Sequence, residues 1–189
     1  MNFISIVVAA LLSFSNLALA QSTYGFRQVD YTQDLGDPGT VVNGIPNFQK
    51  TTDSIYRGGR ATLEGLQYLK KAGFKTIINL ENDSRAVQNE LAMAKKVGLQ
   101  MYSSPLSWTT PPNDKQVDTI LASLKNSQMY PVFVHCHYGR DRTGMIIGLY
   151  RVFGQNWNPK DAYAEMIKYG YHPEYKALDN YFRAKTKMR

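Results

Sequence analysis

The chain has 189 residues, 43% of them hydrophobic and 20% charged. That apolar content can build a core and excludes a wholly disordered chain, and the length favours one domain with a small extension. A single cysteine excludes an internal disulfide framework, CxxC redox chemistry and a cysteine-rich zinc site, while 22 Lys+Arg against 15 Asp+Glu, +7 in all, suits an anionic partner.

Residues 1–20 carry no charged side chain. Phe3 to Phe14 is mostly apolar, and Ala18 and Ala20 supply the small residues of an A-x-A cleavage site. The reading is a secretory signal peptide, and with it a periplasmic or secreted location. The rival is an uncleaved anchor, but Ser13, Ser15 and Asn16 interrupt a run that needs about 20 apolar residues to span. No stable membrane anchor is expected after cleavage. A lone thiol in an exported chain is either inert packing or a group kept for chemistry.

Residues 21–45 are polar and rich in turn signals (Gly36, Asp37-Pro38-Gly39, Asn43-Gly44) and read as an extended or loosely docked arm. Arg27 is outnumbered there by Asp30, Asp34 and Asp37, so the positive excess belongs to the folded part, residues 46–189. From Ser54 the pattern alternates. Ser54–Arg57 reads as a strand, and Thr62 caps a helix with Leu63, Leu66 and Leu69 on one face, stopped by Gly73. Thr76–Leu80 is a strand, Val87, Leu91 and Ala94 mark a helix ended by Gly98, and Gln100–Ser103 is a third strand. Asn113 or Asp114 starts a helix through Val117, Ile120, Leu121 and Leu124.

Pro131–His135 is the apolar run of a buried parallel strand. Helices follow through Ile146, Ile147 and Tyr150, from Asn158-Pro159 to Gly170, and through Tyr175, Leu178, Tyr181 and Phe182. Strands alternating with helices, then helices alone, predict an α/β fold: a central, mostly parallel sheet of four to five strands flanked by helices.

The segment His135-Cys136-His137-Tyr138-Gly139-Arg140-Asp141-Arg142-Thr143-Gly144 lies between that buried strand and a helix N-terminus. Unpartnered amides at such a junction bind anions, and Gly139 permits the positive φ or close approach that a loop around an oxyanion needs. A free thiol titrates near pH ~8.5, and a helix N-terminus with a nearby guanidinium favours its thiolate. The fork of Arg142 suits two phosphate oxygens. These groups describe a nucleophile beneath a phosphorus atom, which implies a phosphocysteine intermediate and calls for no metal and no cofactor. His135 and His137, neighbours that point to opposite sides, do not make a metal set.

Cys-x5-Arg-Thr after an apolar strand ending in His resembles the signature of the protein tyrosine phosphatase superfamily. Ile55-Tyr56-Arg57-Gly58-Gly59, Lys75–Leu80 and the block from Pro131 to Arg151 are similar to compact bacterial dual-specificity phosphatases. They also resemble the plant and fungal atypical group acting on inositol pyrophosphates and, more loosely, cysteine-dependent phytases. The resemblance implies Cys136 as nucleophile, Arg142 as phosphate clamp, and a cradle of amides from His137, Tyr138, Gly139, Arg140, Asp141 and Arg142. It implies that Thr143 hydrogen-bonds the thiolate and that His135 orients the loop from below.

In that superfamily an aspartate on an upstream loop protonates the leaving group. Here Met101 to Pro112 contains no carboxylate, although Trp108 and the prolines suggest a loop over the site, with a core plug as the alternative for Trp108. Two acids remain. Asp114 sits at a helix start, where capping explains it, and Asp141 lies inside the cradle, as in the myotubularin and bacterial lipid-phosphatase variants. Asp141 is favoured and Asp114 is the weaker candidate. His172 reads as a loop residue.

His137 and Arg140 occupy places that contact extra phosphates in related phosphoinositide phosphatases, and Arg57, Arg60 and Arg85 fall on loops that could border the same pocket. The expectation is an exported, metal-independent cysteine phosphatase that prefers inositol polyphosphates. The same chemistry on phosphotyrosine proteins is the alternative, and an inactive phosphate-binding module the third reading. No nucleic-acid-binding pattern is present.

Overall fold

The structure, a computed structural model, describes residues 39–188. The expected signal peptide and most of the polar arm lie outside the described residues. Its elements in chain order begin with β1 (Val41–Val42), β2 (Ile45–Pro46), β3 (Gln49–Lys50), β4 (Ile55–Gly58), α1 (Leu63–Lys71) and β5 (Thr76–Asn79). They continue with α2 (Ser84–Val97), β6 (Gln100–Ser103), α3 (Asp114–Lys125), β7 (Val132–His135), α4 (Asp141–Gln155), α5 (Pro159–Lys168) and α6 (Lys176–Thr186).

Local chemistry sets the helix ends. Thr62 Oγ1 accepts from the Gly65 amide at 3.2 Å, Asp83 Oδ1 from Ala86 at 3.1 Å and Asn113 Oδ1 from Gln116 at 3.3 Å. Each satisfies an amide that the first turn leaves without a partner. Asn113 is therefore the cap of α3 and Asp114 its first residue. Asn158 caps α5 with Pro159 at the first helical position.

Five strands form one sheet in the order β3-β4-β7-β5-β6, with β4, β7, β5 and β6 parallel and β3 antiparallel at the edge. This is the expected mostly parallel α/β sheet. The strand period of two splits the core. Tyr56, Ile77 and Phe133 face α1 and α2 in one cluster, and Ile55, Ile78, Val132 and Val134 face α3 to α6 in the other. Ile45, read from the sequence as part of the polar arm, is fully buried in the first cluster. The packed body thus begins before Pro46, because the β1–β2 turn returns an apolar side chain to the core.

Helix α4 is buried from Arg142 to Arg151 and packs against α3, α5 and α6, so its N-terminus is fixed by the core. Among the described residues no helix is long and apolar enough to cross a membrane. The far end of α4 is held by Arg151, whose Nε and Nη2 donate to Glu165 at 2.9 and 2.6 Å and whose Nη1 donates to the Thr51 carbonyl at 2.9 Å. Removing one partner of a buried pair strands the other charge, whereas replacing both with apolar groups does not. Glu165→Ala is therefore expected to cost about 3 kcal/mol in chemical denaturation, and Arg151→Met combined with Glu165→Met markedly less.

Candidate active site

The register aligns Gly58 and Asn79 with His135, so β4, β7 and β5 end at one level. The loops that leave these C-terminal ends, together with the start of α4, enclose a cavity of about 300 Å³. Cys136, Arg142, Asp141, His137 and Tyr138 all line it. Cys136 is a free thiol, 2% exposed, at the foot of the loop. No side chain caps the N-terminus of α4, which leaves its first amides for an anion.

The loop is anchored from behind through one carbonyl. The Gly139 oxygen accepts from Arg57 Nη2 at 2.8 Å and from Asn47 Nδ2 at 3.1 Å. Asn47 Nδ2 also donates to the Tyr169 carbonyl at 3.1 Å. Gly139 has φ +71°, and a Cβ there would stand 2.2 Å from the Gly58 carbonyl carbon, so both backbone conformation and space demand glycine. Arg57 is 1% exposed and lies 4.9 Å over the Tyr169 ring. Burial pushes its guanidinium down to about 10, although the charges of Glu165, Cys136 and Tyr169 oppose the shift. The expectation that Arg57 borders the pocket is corrected. Its strand position sends it behind the loop, where it holds the Gly139 carbonyl.

Arg142 Nη1 donates to Asn82 Oδ1 at 3.0 Å and lies 3.4 and 3.5 Å from the Leu106 and Leu80 carbonyls. With these acceptors gathered on Nη1, the Nε–Nη2 edge is the one left for two phosphate oxygens. Thr143 is buried, and among the described residues its hydroxyl has no hydrogen-bond partner, so the expected bond to the Cys136 sulfur is not formed.

His135 is fully buried with Nε2 3.0 Å from Glu90 Oε1 and Nδ1 3.3 Å from the Cys136 carbonyl. Asn79 donates to Glu90 at 2.7 Å and accepts from the Glu81 amide at 2.6 Å. Glu81 takes both ends of the Arg60 fork, one at 2.7 Å, and sits 3.5 Å from His137 Nδ1. Glu81, Glu90 and His135 each bring a possible ligand atom within 4.8 Å of the others. The Arg60 guanidinium already occupies both oxygens of Glu81 and the Asn79 amide donates to Glu90, so these carboxylates are engaged by donors of the protein itself, as in a supporting network beneath the loop.

The two acids separate. Asp114 Oδ1 accepts from Tyr181 Oη and Lys185 Nζ, both at 2.7 Å, outside the cavity. The bonds from Lys185 and Tyr181 hold its carboxyl below the usual range and aim it away from the cavity. Asp114 is thereby removed as a general-acid candidate. Asp141, a first-turn residue of α4, lines the cavity beside Cys136, and its Oδ1 accepts from the His172 amide and faces His172 Nδ1, each at 2.9 Å.

Arg140 departs from expectation. Its side chain lies in a separate groove with Lys168, against Gly39 and Gly170, rather than in the cavity. Turning the Gly139 carbonyl back toward Arg57 carries the next side chain outward. Arg85 is exposed on α2 and does not line the cavity either. Trp108 is no core plug: it is 48% exposed, lines the cavity and stands 5.2 Å from the Tyr175 ring. Asn47, Glu81, Asn82, Tyr175 and His172 also line or support the cavity, although none is a site candidate in the sequence. Only Glu81-Asn82, directly after an apolar strand, carried a usable signal.

Burial alone would raise the Glu81 carboxyl, but the Arg60 bond and charge, with His135 and His137, hold it below the usual carboxylate range. A carboxyl lowered on folding adds stability that is complete above its unfolded value and is lost as pH falls through the folded value. The stability gap between wild type and Glu81→Gln is therefore expected to stay level down to about pH 4.3 and to close below it, as followed by urea midpoints on acidification.

A family model described as "DSP-PTPase phosphatase fused to NAD+ Kinase" matches residues 40–180. The chain is 30% identical over 128 residues to inositol diphosphatase DSP5 of Arabidopsis thaliana, covering 66% of this chain and 62% of that protein. It is 25% identical over 136 residues to the dual-specificity protein phosphatase TpbA of Pseudomonas aeruginosa, covering 71% of this chain and 59% of TpbA. The chain thus spans about three fifths of these relatives' length. Among solved structures, P. aeruginosa TpbA superposes with TM-score 0.65 at 22% identity, over 80% of this chain and 92% of that one. The core catalytic domain of Saccharomyces cerevisiae SIW14 gives 0.63 at 22%, over 78% and 92%. These two likenesses show a shared fold.

Proposed function

Because the chain belongs to this dual-specificity-type phosphatase family, we propose that it hydrolyses phosphate monoesters through a phosphocysteine intermediate. The observation that carries the reading is the meeting of Cys136, Arg142 and Asp141 around one cavity at the N-terminus of α4.

The Cys136 sulfur attacks phosphorus in line with the leaving oxygen, and the S–P bond forms as the P–O bond breaks. The loop amides and the Arg142 fork take the charge on the equatorial oxygens. Asp141 gives its proton to the departing oxygen and then, as carboxylate, takes one from the water that cleaves the S–P bond. Each proton and charge has a residue of this chain to carry it, so the cycle calls for no metal.

The disposition of cations bears on the substrate. Arg57 is behind the loop, Arg140 is turned away and Arg60 is neutralised by Glu81, which leaves one strong phosphate site. Trp108, Tyr138 and Tyr175 supply an aromatic rim. This supports an aryl phosphate such as phosphotyrosine, and a solved complex of P. aeruginosa TpbA holds pTyr. The second reading, an inositol polyphosphate or diphosphate, is supported by His137 on the cavity wall and by relatives named inositol diphosphatases. We further propose that residues 1–20 direct export, so that protein recovered outside the cytoplasm begins at Gln21; recovery of an uncut chain in membranes contradicts it.

Turnover of p-nitrophenyl phosphate in the presence of a chelator is expected to persist in wild type and to vanish in Cys136→Ser. Binding without hydrolysis in wild type would establish the inactive phosphate-binding module instead. Asp141→Asn is expected to lose about 100-fold or more in kcat on an alkyl phosphate while retaining most activity on p-nitrophenyl phosphate, whose leaving group needs no proton. Equal rates to wild type on both esters would remove Asp141 as the acid. The ratio of kcat/KM for a phosphotyrosyl peptide over inositol hexakisphosphate is expected to exceed one, and a ratio below one favours the second reading.

A further inference from the structure

His172 reads from the sequence as a loop residue, yet it supplies both hydrogen-bond contacts to Asp141. Its backbone N–H donates to Oδ1 at 2.9 Å, and its ring Nδ1 lies 2.9 Å from the same oxygen. The ring is half-buried and 5.4 Å from that of Tyr175, which in turn stands 5.2 Å from Trp108 on the cavity rim. The Tyr175 amide donates to the His172 carbonyl at 3.1 Å, so the turn before α6 fixes the backbone of the pair. Asp141 does not cap α4, and its carboxyl is spent on His172 instead.

Resting on the assignment of Asp141 as the acid, we propose that His172 is a positioning residue that decides which carboxyl oxygen carries the proton. Two donors on Oδ1 leave Oδ2 as the protonated oxygen. Oδ1 accepts as the carbonyl oxygen of the neutral acid and more strongly as a carboxylate oxygen, so the Nδ1–H tautomer that the proposal requires serves both states. In the first step the Oδ2–H bond breaks, the proton passes to the leaving oxygen and the electron pair stays on the carboxylate. The negative charge then spreads onto Oδ1, where the two His172 N–H groups stand ready. In the second step Oδ2 takes a proton from water as the O–P bond forms and the S–P bond breaks. His172 touches neither substrate nor reacting atoms; it acts through Asp141.

The test separates the ring's donor from its bulk. His172→Phe keeps a ring beside Tyr175 and loses the donor, while His172→Asn places an amide N–H near the position of Nδ1. His172→Phe is expected to lower kcat on an alkyl phosphate by about tenfold or more and on p-nitrophenyl phosphate by less than about threefold. His172→Asn is expected to stay within about threefold of wild type on both. An equal loss on the two esters, no loss on either, or an Asn variant as impaired as the Phe variant overturns the proposal. If the Phe variant does not fold, His172→Ala carries the same comparison. Asp141→Asn run alongside distinguishes the failures: a leaving-group gap there but none in the His172 variants sinks only His172, and no gap in Asp141→Asn sinks the acid assignment and this proposal together.

Discussion

Amides can converge on one anion only if the carbonyls between them are turned away and satisfied elsewhere. In this protein that condition rests on the Gly139 carbonyl, which is drawn back onto Arg57 and Asn47. The rest of the site depends on it. Glycine is demanded because the loop there lies against the backbone of Gly58. Arg57 sits near the end of β4, beside the strand that leads into Cys136, so the sheet register sets the distance between anchor and thiol. α4 presents its N-terminus at the same place because its stretch from Arg142 to Arg151 is packed among other helices.

The cations sort by what this anchoring does to each. Arg57 is buried behind the loop and spends one nitrogen on the carbonyl. Arg142 lines the cavity with Nη1 held by Asn82 and close to two backbone carbonyls, so its orientation is fixed by the protein itself. Pre-ordering of this kind spares the entropy of fixing a long side chain during binding. Arg60 is bound to Glu81 and shapes the wall more than it adds charge. Arg140, next to the anchored carbonyl, is turned outward to Lys168. A chain with a net charge of +7 therefore concentrates little of that excess inside its cavity.

Much of this was legible in the sequence where the signal is local. The apolar run Pro131–His135, the spacing of Cys136 and Arg142, and caps such as Thr62 and Asn158 each depend on a few neighbouring residues, and strand, loop and helices lie where those signals put them. What was not legible depends on direction or on distant partners. Arg57 and Arg140 are both basic residues near loops, and nothing in their neighbourhood tells which way a side chain leaves a turn. Asp114 and Asp141 both begin helices; only the fold brings Lys185 to one and His172 to the other. Asn47 acts on residues 92 and 122 positions away, beyond the reach of any local pattern. Ile45 joined the core although its surroundings read as an arm, because a two-residue ribbon is too short to show a strand period.

The central claim is that the sulfur of Cys136 bonds to phosphorus during turnover. Mass spectrometry of the protein mixed with an aryl phosphate and quenched in acid within the first turnovers tests it directly. The account predicts one added phosphoryl group on the peptide that contains Cys136. A quenched enzyme that turns substrate over with no phosphoryl group on that peptide, or with the group on another residue, would contradict it.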